Sequence, residues 1–215
     1  MTKQHNVQKV YALSRSGKTF NDAKVETHTI DITDEESVRQ ASEQCGEQVD
    51  IVIVASGELG GGTKLPEKSL RDINMDDMLH SFKVNTFGPA LVTKYFVPLL
   101  PRKGRSIFAA LSARVGSISD NKLGGWYSYR AAKAGLNMII RNVAIEAGRR
   151  YKDAVILALH PGAVDTDMTR PYHANIQYEI FSPEKAAAQL LDVVLGCSPS
   201  DSGKFMQWDG QEIAP

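Results

Sequence analysis

The chain alternates between short apolar runs of strand length and longer segments in which apolar residues return every three to four positions. Runs at 9–13, 25–30, 49–55, 106–111, 155–160 and 204–208 hold β-branched and aromatic residues and are bounded by turn-forming or charged ones, which predicts strands. Segments 34–45, 75–100, 127–151 and 183–195 carry the helical period. The punctuation agrees: Thr33 with Glu36 reads as a capping box, and Ser182-Pro183-Glu184 offers an N-cap, a proline at the first helical position and an early acid. Strand and helix in alternation, with strands apolar on consecutive positions, imply an α/β fold: a doubly wound, Rossmann-like parallel sheet covered on both faces. Ligands bind such sheets beyond the carboxyl ends of the strands, where Ser112 and the turn Pro161-Gly162 would emerge.

Composition narrows the function classes. A chain of 215 residues, 42% hydrophobic and without a Pro/Ser-rich linker, fits one domain over 1–215. Twenty-five basic residues balance twenty-five acidic ones, so charge gives no case for nucleic acid or an anionic membrane as partner. The longest apolar stretches, 51–55 and 154–159, are far short of the roughly 20 residues a membrane span needs, and the first residues carry no signal-peptide core. A cytoplasmic protein acting on a small molecule is the expectation. Cys45 and Cys197 lack metal-ligand or redox-motif spacing and read as unpaired thiols; no metal site is expected.

The run Tyr127-Ser128-Tyr129-Arg130-Ala131-Ala132-Lys133 places a phenol and an ammonium four residues apart, on one helix face. A nearby cation favours phenolate and moves a tyrosine from its usual pKa of about 10 toward the working range of an acid/base group. That spacing alone occurs by chance in many helices, and its neighbours give it weight. Ser112 closes the apolar run 106–111; Asn85 sits inside a long helical segment where an amide has no propensity reason to be; and Leu159-His160-Pro161-Gly162-Ala163-Val164-Asp165-Thr166 ends another strand in a turn.

In this order, Asn85, Ser112, Tyr129 and Lys133, followed by Pro161-Gly162 and Thr166, resemble the short-chain dehydrogenase/reductase family of NAD(P)-dependent oxidoreductases. The string 112–121 followed by Gly124-Gly125-Trp126-Tyr127-Ser128-Tyr129 is similar, more narrowly, to the C-factor and sniffer-type carbonyl reductase branch. The resemblance runs from about residue 9 to 208. It implies that Tyr129 exchanges a proton with a carbonyl or alcohol oxygen while hydride passes to or from the nicotinamide. Lys133 would hold the ribose and lower the Tyr129 pKa, Ser112 would bond the substrate oxygen, and Asn85 would keep a helix open for a proton relay. Cofactor contacts would come from Ser14, Arg15, Asp31, Ile32, Ala55, Gly57, Tyr129, Lys133, Pro161, Val164 and Thr166. Arg15 past the first strand, with no acid at that strand end, favours NADP over NAD. Residues 165–181, with Met168, Tyr172, His173 and Tyr178, would form a mobile flap over a carbonyl or alcohol substrate. The helical segments 75–100 and 127–151 would form a homodimer interface.

The sequence departs from the family at its start. The strand, glycine-rich turn and helix that receive the pyrophosphate are not found; 1–8 reads as the tail of that helix and 9–16 as the family's second strand with its turn. The glycine cluster 56–63 follows a strand in mid-chain and leads into Lys64-Leu65-Pro66, so it is not read as a phosphate loop. The expectation is a sheet lacking its first strand and first helix, either as part of a longer protein or as a short form with impaired cofactor binding. Two classes follow: an NADP-dependent reductase or dehydrogenase, and a non-catalytic, regulatory relative that kept the fold.

Overall fold

The computed structural model describes residues 1–2, 6–60, 65–175 and 178–215. Every predicted strand forms, with ends displaced by at most two residues, and the predicted helices form except that 75–100 is divided and 127–151 ends at Ala147: β1 (Val10–Ser14), β2 (Val25–Thr29), α1 (Glu35–Gln44), β3 (Ile51–Val54), α2 (Met75–Phe82), α3 (Gly88–Phe96), β4 (Ser106–Leu111), α4 (Tyr127–Ala147), β5 (Ala154–His160), β6 (Ala163–Val164), β7 (Ile180–Phe181), α5 (Pro183–Gly196) and β8 (Phe205–Gln207). The small β6–β7 ladder was not foreseen. α1 is capped by Asp34, whose side chain accepts from the Glu36 amide, and not by Thr33; the Thr33 hydroxyl is donated to Asp31 instead. At α5 the expected cap is in place, with Ser182 accepting from the Lys185 amide and Pro183 following.

The expected single helix over 75–100 is interrupted. At Lys83–Phe87 the backbone widens into a π-helical turn between α2 and α3, with Asn85 at its centre. The Asn85 side-chain amide donates to the Ser81 carbonyl at 3.1 Å and to the Glu58 carbonyl at 2.9 Å, while its Oδ1 accepts the Glu58 amide at 3.0 Å. A side chain thus takes an acceptor that the regular i to i−4 ladder would use.

β3, β4, β5 and β8 form a parallel sheet in that spatial order. Consecutive residues of β4 and β5 point to opposite sides, and both sides are buried. Phe108, Ala110, Ile156 and Ala158 join Val38 and Ala41 of α1, Val92 and Phe96 of α3, and Leu136 and Ile140 of α4 in one core. Ile107, Ala109, Val155, Leu157 and Leu159 pack on the other side with Val194 of α5. Helices therefore lie on both faces, as the consecutive apolar runs imply. On the second face α5 is the covering helix, and Ile53, in register with Ala109, stays 38% exposed.

β1 and β2 pair in parallel as a separate ladder, without backbone bonds to β3 among the described residues. The Val10 amide bonds Lys24 and the Ser14 carbonyl accepts Ile30, so Val10, Ala12 and Ser14 turn their polar groups toward β2 and Tyr11 and Leu13 turn theirs away. In β3 the Asp50 carbonyl accepts from Ile107, which leaves Ile51 and Ile53 facing away from β4. Each ladder consequently ends in an edge strand. We expect the amides of Tyr11, Leu13, Ile51 and Ile53 to exchange with deuterium at least about tenfold faster than those of Phe108 and Ile156, because opening an edge breaks fewer contacts than opening the buried centre. Equal protection in a native-state exchange experiment would contradict the edge assignment.

Candidate active site

The carboxyl ends of β4 and β5 open onto a cavity of about 800 Å³. Ala55, Gly57, Ser112, Tyr129, Lys133, Pro161, Val164 and Thr166 all line it. Asn85 lies immediately behind: a Cβ built on Gly57 would sit 3.4 Å from both the Asn85 Oδ1 and the Lys133 Nζ. Asn85 and Lys133 thus meet behind the Gly57 backbone. Ser14, Arg15, Asp31 and Ile32 lie outside the cavity lining, at the ends of β1 and β2.

The tyrosine and lysine share one face of α4 as the four-residue spacing requires, and the ammonium stands 5.7 Å from the phenol ring centroid. Lys133 is 2% exposed, and its Nζ donates to the Leu111 carbonyl at 2.9 Å. Burial pulls the lysine down to about 8 and pushes the Tyr129 phenol up to about 12. The expected lowering of the tyrosine by its lysine is thus reversed here, because the cost of desolvating a phenolate outweighs the attraction of an ammonium aimed at a carbonyl. Tyr129 is a neutral acid at ordinary pH.

Several polar atoms at this cavity lack a partner among the described residues: the Ser112 and Ser56 hydroxyls and the His160 Nδ1. Buried polar atoms are nearly always bonded in folded proteins, so these three are groups whose count a polar ligand in the cavity would complete; Ser106, Asn137 and Gln189 carry other such atoms away from it. The Ser112 amide is itself fixed, donating to the Leu159 carbonyl at 2.7 Å. Burial lowers the His160 pKa to about 4, so this imidazole is neutral.

At the turn after β5, Gly162 has φ +78°, and a Cβ there would lie 2.7 Å from the Phe181 ring; glycine is needed on both counts. The Thr166 hydroxyl is shared with Thr169 at 3.1 Å, and Thr169 in turn donates to the Val164 carbonyl. Within the expected flap, Met168, Tyr172 and Tyr178 line the cavity, whereas His173 lies 3.4 Å from the Thr169 hydroxyl and outside the lining; residues 176–177 fall outside the described residues. Asp31 uses its carboxylate to accept the Thr33 amide at 2.9 Å and hydroxyl at 2.8 Å, which with the nearby Arg15 charge holds its pKa below the usual carboxylate range. The residues expected at the adenosine end are thus locally ordered, but away from the catalytic cavity.

The glycine cluster 56–63 contributes Ser56, Gly57 and Leu59 to the cavity; 61–63 lie outside the described residues. Among the described residues no group of three or more His, Cys, Asp or Glu is arranged to hold a metal. Sequence reasoning passed over Trp126 and Glu67. Trp126 walls the cavity, with its ring 6.4 Å from that of Tyr129 and 5.1 Å from that of Tyr172, and Glu67 is a buried carboxylate bonded to Ser128. One signal was available: a helix starting at Tyr127 has no Ser, Thr, Asp or Asn just before it, so its cap must come from elsewhere in the chain.

A family model described as enoyl-(acyl carrier protein) reductase matches residues 3–190. The chain is 34% identical, over 182 residues, to the 1-hydroxy-2-glutathionyl-2-methyl-3-butene dehydrogenase of Rhodococcus sp. (strain AD45), covering 84% of this chain and 76% of that relative. It is 32% identical to the C-signal protein of Myxococcus xanthus, over 80% of this chain and 96% of the relative. Among solved structures, the fold matches the carbonyl reductase Sniffer of D. melanogaster with a TM-score of 0.82 at 20% identity, and the NADPH-bound carbonyl reductase from chicken fatty liver with 0.81 at 24%; each match covers 97% of this chain and 88% of the other. With strands, helices and cavity arranged as described, the chain belongs to the short-chain dehydrogenase/reductase family.

Proposed function

We propose that the chain is an NADP-dependent oxidoreductase that reduces a carbonyl, or oxidises the corresponding alcohol, on a bulky, largely apolar small molecule. The observation that carries this reading is the convergence of a neutral buried phenol, Tyr129, a buried ammonium, Lys133, and the unpartnered Ser112 hydroxyl on one cavity. Trp126, Tyr172, Leu123 and Met168 give that cavity an apolar, aromatic wall suited to such a substrate.

The nicotinamide and ribose half of the cofactor fits the residues present. Lys133 has three N–H donors and one protein acceptor, Leu111, which leaves donors for ribose hydroxyls. Gly57 leaves the space beside them open, and Thr166 and Val164 line the same cavity. Bound there, a reduced nicotinamide would supply the hydride. Ser112 donates to the substrate oxygen and polarises it. Tyr129 delivers its proton to that oxygen, and its raised pKa keeps it protonated for the task. Lys133 holds the phenol's surroundings positive, and Asn85 fixes the Glu58 backbone and the opened turn behind it. For the pyrophosphate half, residues 1–13 contain no glycine and offer no counterpart of a phosphate-binding turn. Arg15 remains as the cation for a 2'-phosphate.

The alternative is a regulatory protein without turnover, favoured by the 32% identity to a relative whose name is that of a signal. Self-association is proposed through exposed Met75, Leu79, Phe87, Met138 and Ile145 on α2, the π turn and α4. Buried, unpaired Cys45 and Cys197 suit the reducing cytoplasm.

Titrating the purified 215-residue chain with NADPH by calorimetry should give a dissociation constant of about 100 µM or weaker, because peripheral contacts alone must offset several kcal/mol of association cost; low micromolar binding would show a phosphate site built from other residues. At saturating NADPH with an aromatic diketone such as benzil, Tyr129→Phe should retain less than about a tenth of wild-type turnover while cofactor affinity stays within a few-fold. Higher residual turnover removes Tyr129 from the chemistry. Arg15→Asp should move the ratio of kcat/KM values at least about tenfold toward NADH, since it replaces a phosphate-pairing cation by an acid. An unchanged ratio would mark Arg15 as a surface residue.

A further inference from the structure

α4 carries the proposed acid/base pair, yet its N-terminus has no cap of its own. The N-cap residue is Trp126, whose side chain makes no capping bond. Its backbone is left-handed, φ 50° and ψ 43°, following Gly124 and Gly125 at φ +65° each. A non-glycine residue is strained there and persists only where its neighbours enforce it.

The enforcing residue is Glu67. Its backbone carbonyl accepts the Trp126 amide at 2.6 Å. Its carboxylate accepts the Ser128 amide at 3.3 Å and the Ser128 hydroxyl as well. Glu67 is 6% exposed, and Ser128 is also buried. The Gly125 backbone runs close beside it: a Cβ at that position would lie 3.5 Å from the Glu67 carbonyl. An anion at a helix N-terminus is favoured by the peptide dipoles, so the contact is stabilising in sign as well as in geometry.

Tyr129 comes directly after Ser128 and is the third residue of the helix. The first bond of the helix closes only behind it, from the Arg130 amide to the Trp126 carbonyl at 2.9 Å. The body of α4 is held by Leu136, Ile140 and Ala144 in the core, and at its start the Arg130 guanidinium donates to the Gly124, Gly125 and Val115 carbonyls, so that Glu67 holds the first turn from one side and Arg130 from the other. A terminal turn without a cap frays. Here that turn holds the phenol, and the residue just before it holds the aromatic wall.

We propose that Glu67 is a positioning residue for the Tyr129–Lys133 pair: by tying down Trp126 and Ser128 it fixes the phenol against the cavity and keeps it out of water. Its catalytic consequence rests on the proposed reading of Tyr129; its structural consequence does not.

The test uses the whole chain in a Trp208→Phe background, so that Trp126 is the one remaining tryptophan of the two. In Glu67→Ala, Trp126 emission should shift to the red and its quenching by acrylamide rise. The Tyr129 titration, read as the 295 nm absorbance difference against Tyr129→Phe, should fall from about 12 toward the ordinary tyrosine value, because a frayed turn returns the phenol to water. With benzil and saturating NADPH, kcat should drop about tenfold or more while KM for benzil moves less than about threefold, as for a displaced catalytic group. Glu67→Gln keeps an amide oxygen to accept from Ser128 and should recover most of each change; if Glu67→Ala fails to fold, Ser128→Ala, which removes the hydroxyl that donates to Glu67, supplies the readout, with the same changes expected at smaller size and unchanged emission and titration overturning the proposal. Unchanged emission and titration in Glu67→Ala overturn the proposal, and so does a shifted titration with undiminished kcat. A wild-type chain without turnover would count against the proposed function, and emission and titration would then decide the role of Glu67 by themselves.

Discussion

Lys133 is an ammonium taken almost wholly out of water and given a single protein acceptor, the Leu111 carbonyl. Burying a cation this way costs several kcal/mol, which the lowered pKa records. The surrounding elements are arranged around that cost. Leu111 ends β4, so the bond joins the helix bearing the phenol to the strand bearing Ser112. Gly116 is required beside it, because a Cβ there would lie 2.8 Å from the Lys133 Cβ. Gly57 lies on the other side, where a Cβ would come within 3.4 Å of the Lys133 Nζ and the Asn85 Oδ1. A fold seeking stability alone would put an apolar residue at position 133. The ammonium makes sense as a donor for a ligand that supplies the acceptors the protein withholds.

What holds that arrangement is the pairing of β4 with β5. Six register pairs, from Ser106 with Ala154 to Leu111 with Leu159, run through the middle of the molecule, buried on both faces. Each buried Ile, Leu, Val or Phe side chain there contributes about 1.5–3 kcal/mol relative to exposure. Both strands end at the same level and deliver Ser112 and Pro161-Gly162 to one cavity; the Ser112 amide bonds the Leu159 carbonyl across the pair. Stability is concentrated where the chemistry needs precision. It is thinner at β1, where every residue is partly exposed, and at Ile53 on β3.

Most of this was legible in the sequence because it rests on local or periodic signals. Apolar runs of strand length, a 3.6-residue period and the Ser182-Pro183 cap need no knowledge of distant residues. Tyr129 and Lys133 could be paired from helix geometry alone. The illegible parts depend on long-range contacts. The opening of the helix at Asn85 was implied by the family resemblance but not by propensity, which sees only an awkward amide, because it goes with bonds to Glu58, 27 residues away. The high Tyr129 pKa reflects burial, which a spacing argument does not contain. Glu67 caps a helix 61 positions downstream, and nothing in its own neighbourhood announces it. Cap positions could be misassigned by one residue as well: Thr33 and Asp34 are both competent, and Asp31 claims the Thr33 hydroxyl.

The site is therefore uneven in its construction. The end that would meet the nicotinamide and the substrate is over-determined, with a buried lysine, an orphaned serine, a left-handed tryptophan and two glycines each placed by several neighbours. The end that would meet the adenosine rests on exposed Arg15 beyond β1 and on half-buried Asp31, whose carboxylate is already engaged with Thr33. Fixed dipoles and donors act most strongly where water is excluded, and they assist a reaction without reorganising. Binding energy from the remote part of a ligand is what usually supports such precision. The order of the catalytic residues is instead supplied by the fold itself, through the bonds of Lys133 to Leu111, Asn85 to Glu58 and Ser128 to Glu67.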